Sequence, residues 1–501
     1  MFPQSLLDVL TDHPGRIAFE HGEREVTNGQ LASLVRELVA GFDAEEIGPG
    51  RAVAMTTSVT PEAFAAYLAA FAVGTRVVGV PPGYTPPQRA HVLAADIDAI
   101  VVDAPAEGSA RLLSLGEVDG AKNLFTGAQA DPAPRGNPDD IARLIFTSGS
   151  TGLPKGCMQT YRALTARCFW QPDRWTPEVA ALAAAGSRYL CAGTLASPVI
   201  FDQVVLSLLG GGTAVIPTGD LSRLLPHGIA QYRISSAILP VARVNAILAG
   251  LRTEPVDLSS LRALTVSGSP VPAHRLAEAN ERIGPVMYNL YGQSEAGVIA
   301  MLTPDGVRDW GDDALATVGR VHPDVRVQAR DADGNVVADG ETGEIFVRSP
   351  AMMSGYWNEP ELTADVLVDG WLRTRDLGFL DENGLLHLVG RTRDVIIVNA
   401  QICYAGPIEA VLATSPDVQE AYVIGAPDDT TGEAIHAFVR PVPGHEPDPA
   451  ALEKLVRAEL GALSVPANLT IVHDVPLTAT GKADKRALLA SARHEGSRHD
   501  R

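Results

Sequence analysis

Apolar positions along the chain follow two spacings, and which one dominates changes with position. Near the start, SLLDVL and QLASLVRELVAGF place apolar residues three or four apart, which predicts amphipathic helices. RVVGV and AIVVDA are short continuous apolar runs, the pattern of strands buried on both faces. The Ala-rich segment PEAFAAYLAAFAVG predicts a helix stopped by Gly74. Strands alternating with helices predict α/β layers around a parallel sheet. Residues 128–140, AQADPAPRGNPDD, interrupt the alternation as a Pro- and Asp-rich connector, and ARLIF then predicts a strand. Residues 186–300 repeat the theme, with GTAVI, SSAIL and ALTVSG as strands.

From about 318 the spacing shortens to two. VRVQARDADGNVVADGETGEIFVRS alternates apolar and polar residues around turn signals at DADGN and ADGETG, which predicts hairpins and a small β-barrel. After Gly390 the order DVIIV, PIEAVLATS, EAYVIGAP, AIHAFVRP, a helix near 448–463 and LTIVHDVP predicts a separate α+β unit. The boundary is expected close to Arg391–Asp394, giving domains over 1–390 and 391–501. The charged end, RHEGSRHDR, is expected to be disordered, and no internal repeat is present.

Composition narrows the class. At 501 residues the chain is too long for one simple core. Its 46% hydrophobic and 20% charged residues are those of an ordinary globular protein. Lys and Arg number 40 against 60 Asp and Glu, a formal charge of −20 that argues against a nucleic-acid partner. Cys157, Cys168, Cys191 and Cys403 form no C-x-x-C pair, so a reducing cytoplasm is the simplest reading. MFPQSLLDVLTDHPG has no basic segment leading an apolar run, so no signal peptide is expected, and no apolar run of about 18 residues predicts a membrane span. Lysine occurs only at 122, 155, 454, 482 and 485, so its placement carries information.

Residues 146–156, FTSGSTGLPKG, follow a predicted strand. Such a turn aims successive backbone N–H groups at one point and makes a nest for an anion. Ser148, Ser150 and Thr151 add hydroxyls, Gly149 and Gly152 permit close approach, and Lys155 adds a point charge. The string is not G-x-x-x-x-G-K-[ST], and GGG at 210–212 does not extend to G-x-G-x-x-G because residue 215 is Val. Composition alone leaves a flexible surface turn equally open.

The whole string TSGSTGLPKG resembles the phosphate loop of the adenylate-forming superfamily, which comprises acyl-CoA synthetases, peptide-synthetase adenylation domains and luciferases. The resemblance continues in order through SGSPVP (267–272), YGQSEAG (291–297), GEIFVRSPAMMSGYWNEPELTADV (343–366), GWLRTRDLG (370–378), LVGRTRDVIIV (388–398) and PLTATGKADKRAL (476–488). It implies a large N-terminal domain of two layered α/β subdomains and a small barrel, followed by a mobile C-terminal domain. It implies ATP and Mg²⁺, with Thr147 and Ser148–Lys155 at the phosphates and Gly268, Ser269 and Pro270 on the adenine side. In the second motif Tyr291, Gly292, Gln293 and Ser294 line the nucleotide and Glu295 holds the metal. Asp376 takes the ribose hydroxyls, with a bridge to Arg373 or Arg375 as the rival reading, and Arg391 stands near the ribose and phosphates. Tyr291 packs on the adenine or is a core tyrosine. Lys482 is the adenylating lysine, and Arg393 occupies the hinge position, where the family has Asp or Lys.

Three departures concern the second half-reaction. Asn399 and Ala400 stand where the family usually has a Gly pair or Lys-Gly lining the path of a thiol. The proline expected after that loop is missing although Glu409 is kept, and Leu463-Ser464 replaces Tyr-Lys. On the acyl side, Ser197 falls where the family often has His or an aromatic residue. Asp202, in Phe201-Asp202, is either an amine-binding residue about three positions out of register or a helix-face carboxylate. The implied activity is adenylation of an aryl or medium-sized carboxylic acid, with release of pyrophosphate and transfer to coenzyme A. Alternatives are loading of carrier-protein phosphopantetheine, a non-thiol acceptor (amide formation or nitrite activation), and a non-catalytic nucleotide binder. The sequence leaves the acid and the oligomeric state open.

Overall fold

The computed structural model describes residues 1–106, 110–147, 153–219, 225–268, 271–398, 401–428, 430–477, 483–485 and 487–491. Two large mixed sheets form its body. One has nine strands with a parallel centre that includes Ser236–Leu239, Ala263–Ser267 and Met287–Gln293, the last returning antiparallel into Gly297–Leu302. The other has eight strands and centres on Ala52–Thr56 and Arg76–Gly79. It runs out through the antiparallel hairpin Ile141–Thr147 and Lys155–Thr160.

The helices between the sheets follow the predicted spacing. Asn28–Ala44 starts at a capping box in which Thr27 accepts from Gln30 and Gln30 returns the bond. Pro61–Ala72 is buried at every position except Glu62, because Ala permits close approach on all sides. The same core holds Phe64, Phe71, Trp170 and Phe201, each at most 2% exposed, so each contributes about 1.5–3 kcal/mol of burial.

The alternating segment forms the expected antiparallel hairpins. Arg326–Arg330 and Gly343–Arg348 pair antiparallel within a five-stranded sheet completed by Leu367–Val368, Trp371–Leu380 and Leu386–Arg391. The small C-terminal domain has its own sheet and its own apolar cluster around Ile396, Val423 and Ala437. Its contacts with the body among the described residues include two close ones. Gly406 approaches so closely that a Cβ there would lie 2.8 Å from the Val389 carbonyl. Arg275, on helix Ala273–Ile283, donates Nη2 to the Val418 carbonyl at 2.9 Å.

Candidate active site

The motif residues gather where strands end, the place at which an open α/β sheet leaves a crevice. Thr147 closes Ile141–Thr147 opposite Lys155, which opens the return strand. Around them, Tyr84 donates its hydroxyl to the Phe146 carbonyl at 3.0 Å, and the His91 ring meets the Pro154 carbonyl at 2.9 Å. These bonds hold both shoulders of the phosphate turn. Ser148, Gly149, Ser150, Thr151 and Gly152 lie outside the described residues, as do Ser269 and Pro270. Gly268 has φ +91°, a left-handed turn that Gly adopts without strain.

Asp376 is 4% exposed, and both its oxygens are engaged. Oδ2 accepts from Tyr291 Oη at 2.6 Å and from Gln293 Nε2 at 2.7 Å, and Oδ1 lies 3.0 Å from Arg391 Nε. Gln293 also donates to the Thr374 carbonyl at 3.1 Å. Burial, with the Asp376 charge second, pushes the Tyr291 phenol far up, so it stays a hydrogen-bond donor. Arg373 pairs instead with Glu344 at 2.8 Å, and Arg375 pairs with Asp365. The rival bridge from Asp376 to these arginines is therefore not formed. The Tyr291 hydroxyl is spent on Asp376, and the ring is only partly buried against its apolar neighbours.

Glu295 is half-buried, and its Oε1 accepts from Tyr356 Oη at 2.8 Å. A carboxylate has about four acceptor sites, so capacity for a cation remains. Mg²⁺ prefers oxygen ligands and keeps several waters and phosphate oxygens, so one carboxylate beside a triphosphate suits it. Among the described residues no group of three His, Cys, Asp or Glu side chains forms a metal cage of its own. Burial first, then the Glu295 charge, pushes the Tyr356 phenol up. Sequence reasoning assigned Tyr356 no role, although SGYWN lies inside a quoted motif.

Ser197 caps the backbone of helix Pro198–Leu209 without a side-chain capping bond. The neighbouring Ala196 packs so closely on the end of Arg76–Gly79 that a Cβ on Gly79 would lie 2.7 Å from its Cα. Asp202 is 3% exposed, with Oδ2 2.6 Å from Arg167 Nη2 and Oδ1 3.7 Å from Arg143 Nη1. Two guanidinium groups already surround it and would repel an ammonium, so the amine-binding reading of Asp202 gives way to a buried ion pair.

Arg393 lies in the short 3₁₀ turn Thr392–Asp394, between strands Leu386–Arg391 and Val395–Val398. Lys482, Asn399 and Ala400 lie outside the described residues. Three positions after Lys482, Lys485 Nζ stands 2.5 Å from Glu409 Oε1 and donates to the Val423 carbonyl at 3.1 Å. Glu409 also accepts from the Val423 N–H at 2.7 Å, so it ties the end of the lysine motif to the C-terminal sheet.

The family model for AMP-binding enzymes matches residues 7–357, and the model for their C-terminal domain matches 407–482. The chain belongs to the AMP-binding enzymes. It is an ATP-dependent adenylate-forming ligase. Among relatives, it is 30% identical to the medium/long-chain-fatty-acid–CoA ligase FadD8 of Mycobacterium tuberculosis, over 97% of this chain and 89% of that one. It is 32% identical to a feruloyl-CoA synthase from Amycolatopsis sp., over 94% of each. The solved amide bond synthetase McbA from Marinactinospora thermotolerans superposes with a TM-score of 0.85 at 34% identity, covering 97% of this chain and 99% of that one. No described helix is long and apolar enough to cross a membrane.

Proposed function

We propose that this chain adenylates an aryl or medium-sized carboxylic acid with ATP, releases pyrophosphate and passes the acyl group to coenzyme A in the cytoplasm. The observation that carries the reading is the Asp376 cradle, in which a nearly buried carboxylate is held by Tyr291, Gln293 and Arg391. Tyr291 and Gln293 lie on the strand whose following turn is bonded, through the Ser294 carbonyl, to Gln159 on the strand that Lys155 opens. A carboxylate has about four acceptor sites, so with Oδ2 fixed by Tyr291 and Gln293, Oδ1 can accept from ribose hydroxyls. The nucleotide is thereby oriented so that its α-phosphate meets the acid carboxylate, and such chemistry is mostly positioning and charge neutralisation.

Each remaining assignment has a physical part to play. Backbone N–H groups and hydroxyls of 147–152, with Lys155, hold the phosphates, and the loop at Gly268–Pro270 flanks the adenine. Mg²⁺, when bound at Glu295, neutralises phosphate charge. Lys482 supplies positive charge to the α-phosphate and carboxylate oxygens. The domain 391–501 turns about Arg393 between the two half-reactions, and Ser197 leaves room for the acyl group.

The thiol acceptor is supported by relatives named as CoA ligases. A second reading, an amine acceptor, is favoured by the amide bond synthetase at 34% identity together with Asn399 and Ala400, whose side chains would narrow a thiol's path. A carrier-protein thiol is a third possibility, since a relative at 29% identity is named a fatty acid–[acyl-carrier-protein] ligase. The deciding experiment is pyrophosphate release with a panel of acids, followed by mass spectrometry with CoA, a carrier protein or an amine. Acyl-CoA is the expected product. Amide without thioester installs the second reading, and no release with any acid or with nitrite overturns both. Lys482→Ala is expected to abolish release while ATP still binds, and unchanged turnover would remove Lys482 from the mechanism.

A further inference from the structure

A buried polar chain joins the acyl-side helix to the turn that carries Glu295, and none of the roles above uses it. Arg143 and Gln159 face each other across the hairpin whose turn is the phosphate loop. Gln159 Oε1 accepts from Arg143 Nε and Nη2 at 3.1 and 2.8 Å, and Gln159 Nε2 donates to the Ser294 carbonyl at 2.9 Å. Arg143 Nη1 lies 3.7 Å from Asp202 Oδ1, and Asp202 Oδ2 accepts from Arg167 Nε at 2.7 Å. Arg143, Gln159, Arg167 and Asp202 are all at least nine-tenths buried. Burial lowers the Arg143 pKa to about 10 even with Asp202 beside it. Apolar side chains of similar volume serve stability as well as a buried ion pair does, so stability alone does not account for this one.

The links through Gln159 are short hydrogen bonds, while Arg143 and Asp202 are joined by charge across 3.7 Å in a buried place where little else screens it, so displacement at one end is felt at the other. One end is Asp202, on helix Pro198–Leu209, which Ser197 precedes. The other is the carbonyl of Ser294, the residue before Glu295. The middle is the hairpin that presents Thr147 and Lys155. Three parts that must be in register for adenylation are thus joined by side chains.

We propose that Asp202, Arg143 and Gln159 form a positioning relay that couples the acyl-side helix to the placement of Glu295, and so to the Mg²⁺-dependent grip on ATP. The inference rests on the ATP and metal roles proposed above. In Gln159→Glu the variant keeps an acceptor for Arg143 but sets a carboxylate oxygen against the Ser294 carbonyl. The experiment is calorimetric titration of the full chain with ATP, with and without Mg²⁺. Losing a hydrogen bond that aims a charged group is expected to cut the Mg²⁺-dependent gain in affinity about tenfold, with metal-free ATP binding within about twofold of wild type.

Asp202→Asn acts at the far end, with no contact to Ser294, and is expected to reduce the same gain about threefold or more, since it weakens a buried pair. A role confined to packing would lower the melting temperature and leave the Mg²⁺ gain untouched, so a folded variant of either kind with the wild-type gain overturns the relay. Should Gln159→Glu fail to fold, Gln159→Met, neutral and of similar length, is read in the same way. A wild-type chain whose ATP binding ignores Mg²⁺ overturns the role of Glu295 and the relay together, an outcome distinct from failure of the relay alone.

Discussion

Asp376 stands in a nearly dry place with a donor at each oxygen, and alternation along the strand decides which donors those are. In Trp371–Leu380, Thr374 and Asp376 point to the buried face while Arg373 and Arg375 point to the other. The adjacent arginines, the obvious partners in the sequence, therefore go to Glu344 and Asp365. Arg391 reaches Asp376 because the two are register partners on neighbouring strands. The motif RTRDLG made Asp376 legible as a site residue, but its partners come from sheet register, which no local pattern displays. Tyr291→Phe keeps the ring and removes one 2.6 Å bond to the carboxylate. A hydrogen bond to a charged group contributes about 1.5–3 kcal/mol, so the KM for ATP is expected to rise roughly tenfold or more with a smaller change in kcat. Initial rates of pyrophosphate release at varied ATP check this, and an unchanged KM would show that the bond does not hold the nucleotide site together.

The turn YGQSEAG shows how tightly one element is drawn. A Cβ on Gly292 would lie 2.5 Å from the Gly297 carbonyl, across the bulge where Tyr291 and Gly292 shift register. That contact is with backbone, so the hairpin itself must open to admit a methyl group. Overpacking of this kind costs about 1–3 kcal/mol, and here it displaces Ser294 and Glu295 as well. Gly292→Ala is therefore expected to lower the melting temperature and to weaken Mg²⁺-dependent ATP binding together, as thermal unfolding and calorimetry would record. A variant that binds ATP normally would mean that the turn tolerates the shift. The helices, strands and hairpins were legible because their apolar spacing is regular, and the Asp331 turn because its side chain accepts from the backbone of Asp333 and Asn335. The pairing of Arg143, Gln159 and Asp202 was not, since polar residues inside apolar strands and helices leave no periodic trace and their partners lie far along the chain.

At the scale of the whole molecule, the C-terminal domain leans on helix Ala273–Ile283 through two neighbouring side chains. Arg275 donates to the Val418 carbonyl, and the ring of the adjacent His274 faces the backbone of Ala413. Burial first, then the Arg275 charge, lowers the His274 pKa below its ordinary value, so the folded protein holds this ring neutral. The stabilisation this provides is full above about pH 6.5, the ordinary histidine value, and is lost as pH falls toward the lower folded value, where the ring takes up a proton beside a guanidinium. His274→Gln removes the titrating group and keeps a polar side chain of similar reach. Between pH 7.5 and 5.5 the wild type is therefore expected to lose more thermal stability than the variant, and hydrogen exchange at 413–419 should rise with acid in the wild type first. His322 is also held neutral by burial, but it remains in both proteins and cancels in the difference. Parallel melting curves for the two would place His274 away from the junction's pH response and leave Arg275 as the contact that fixes the two domains.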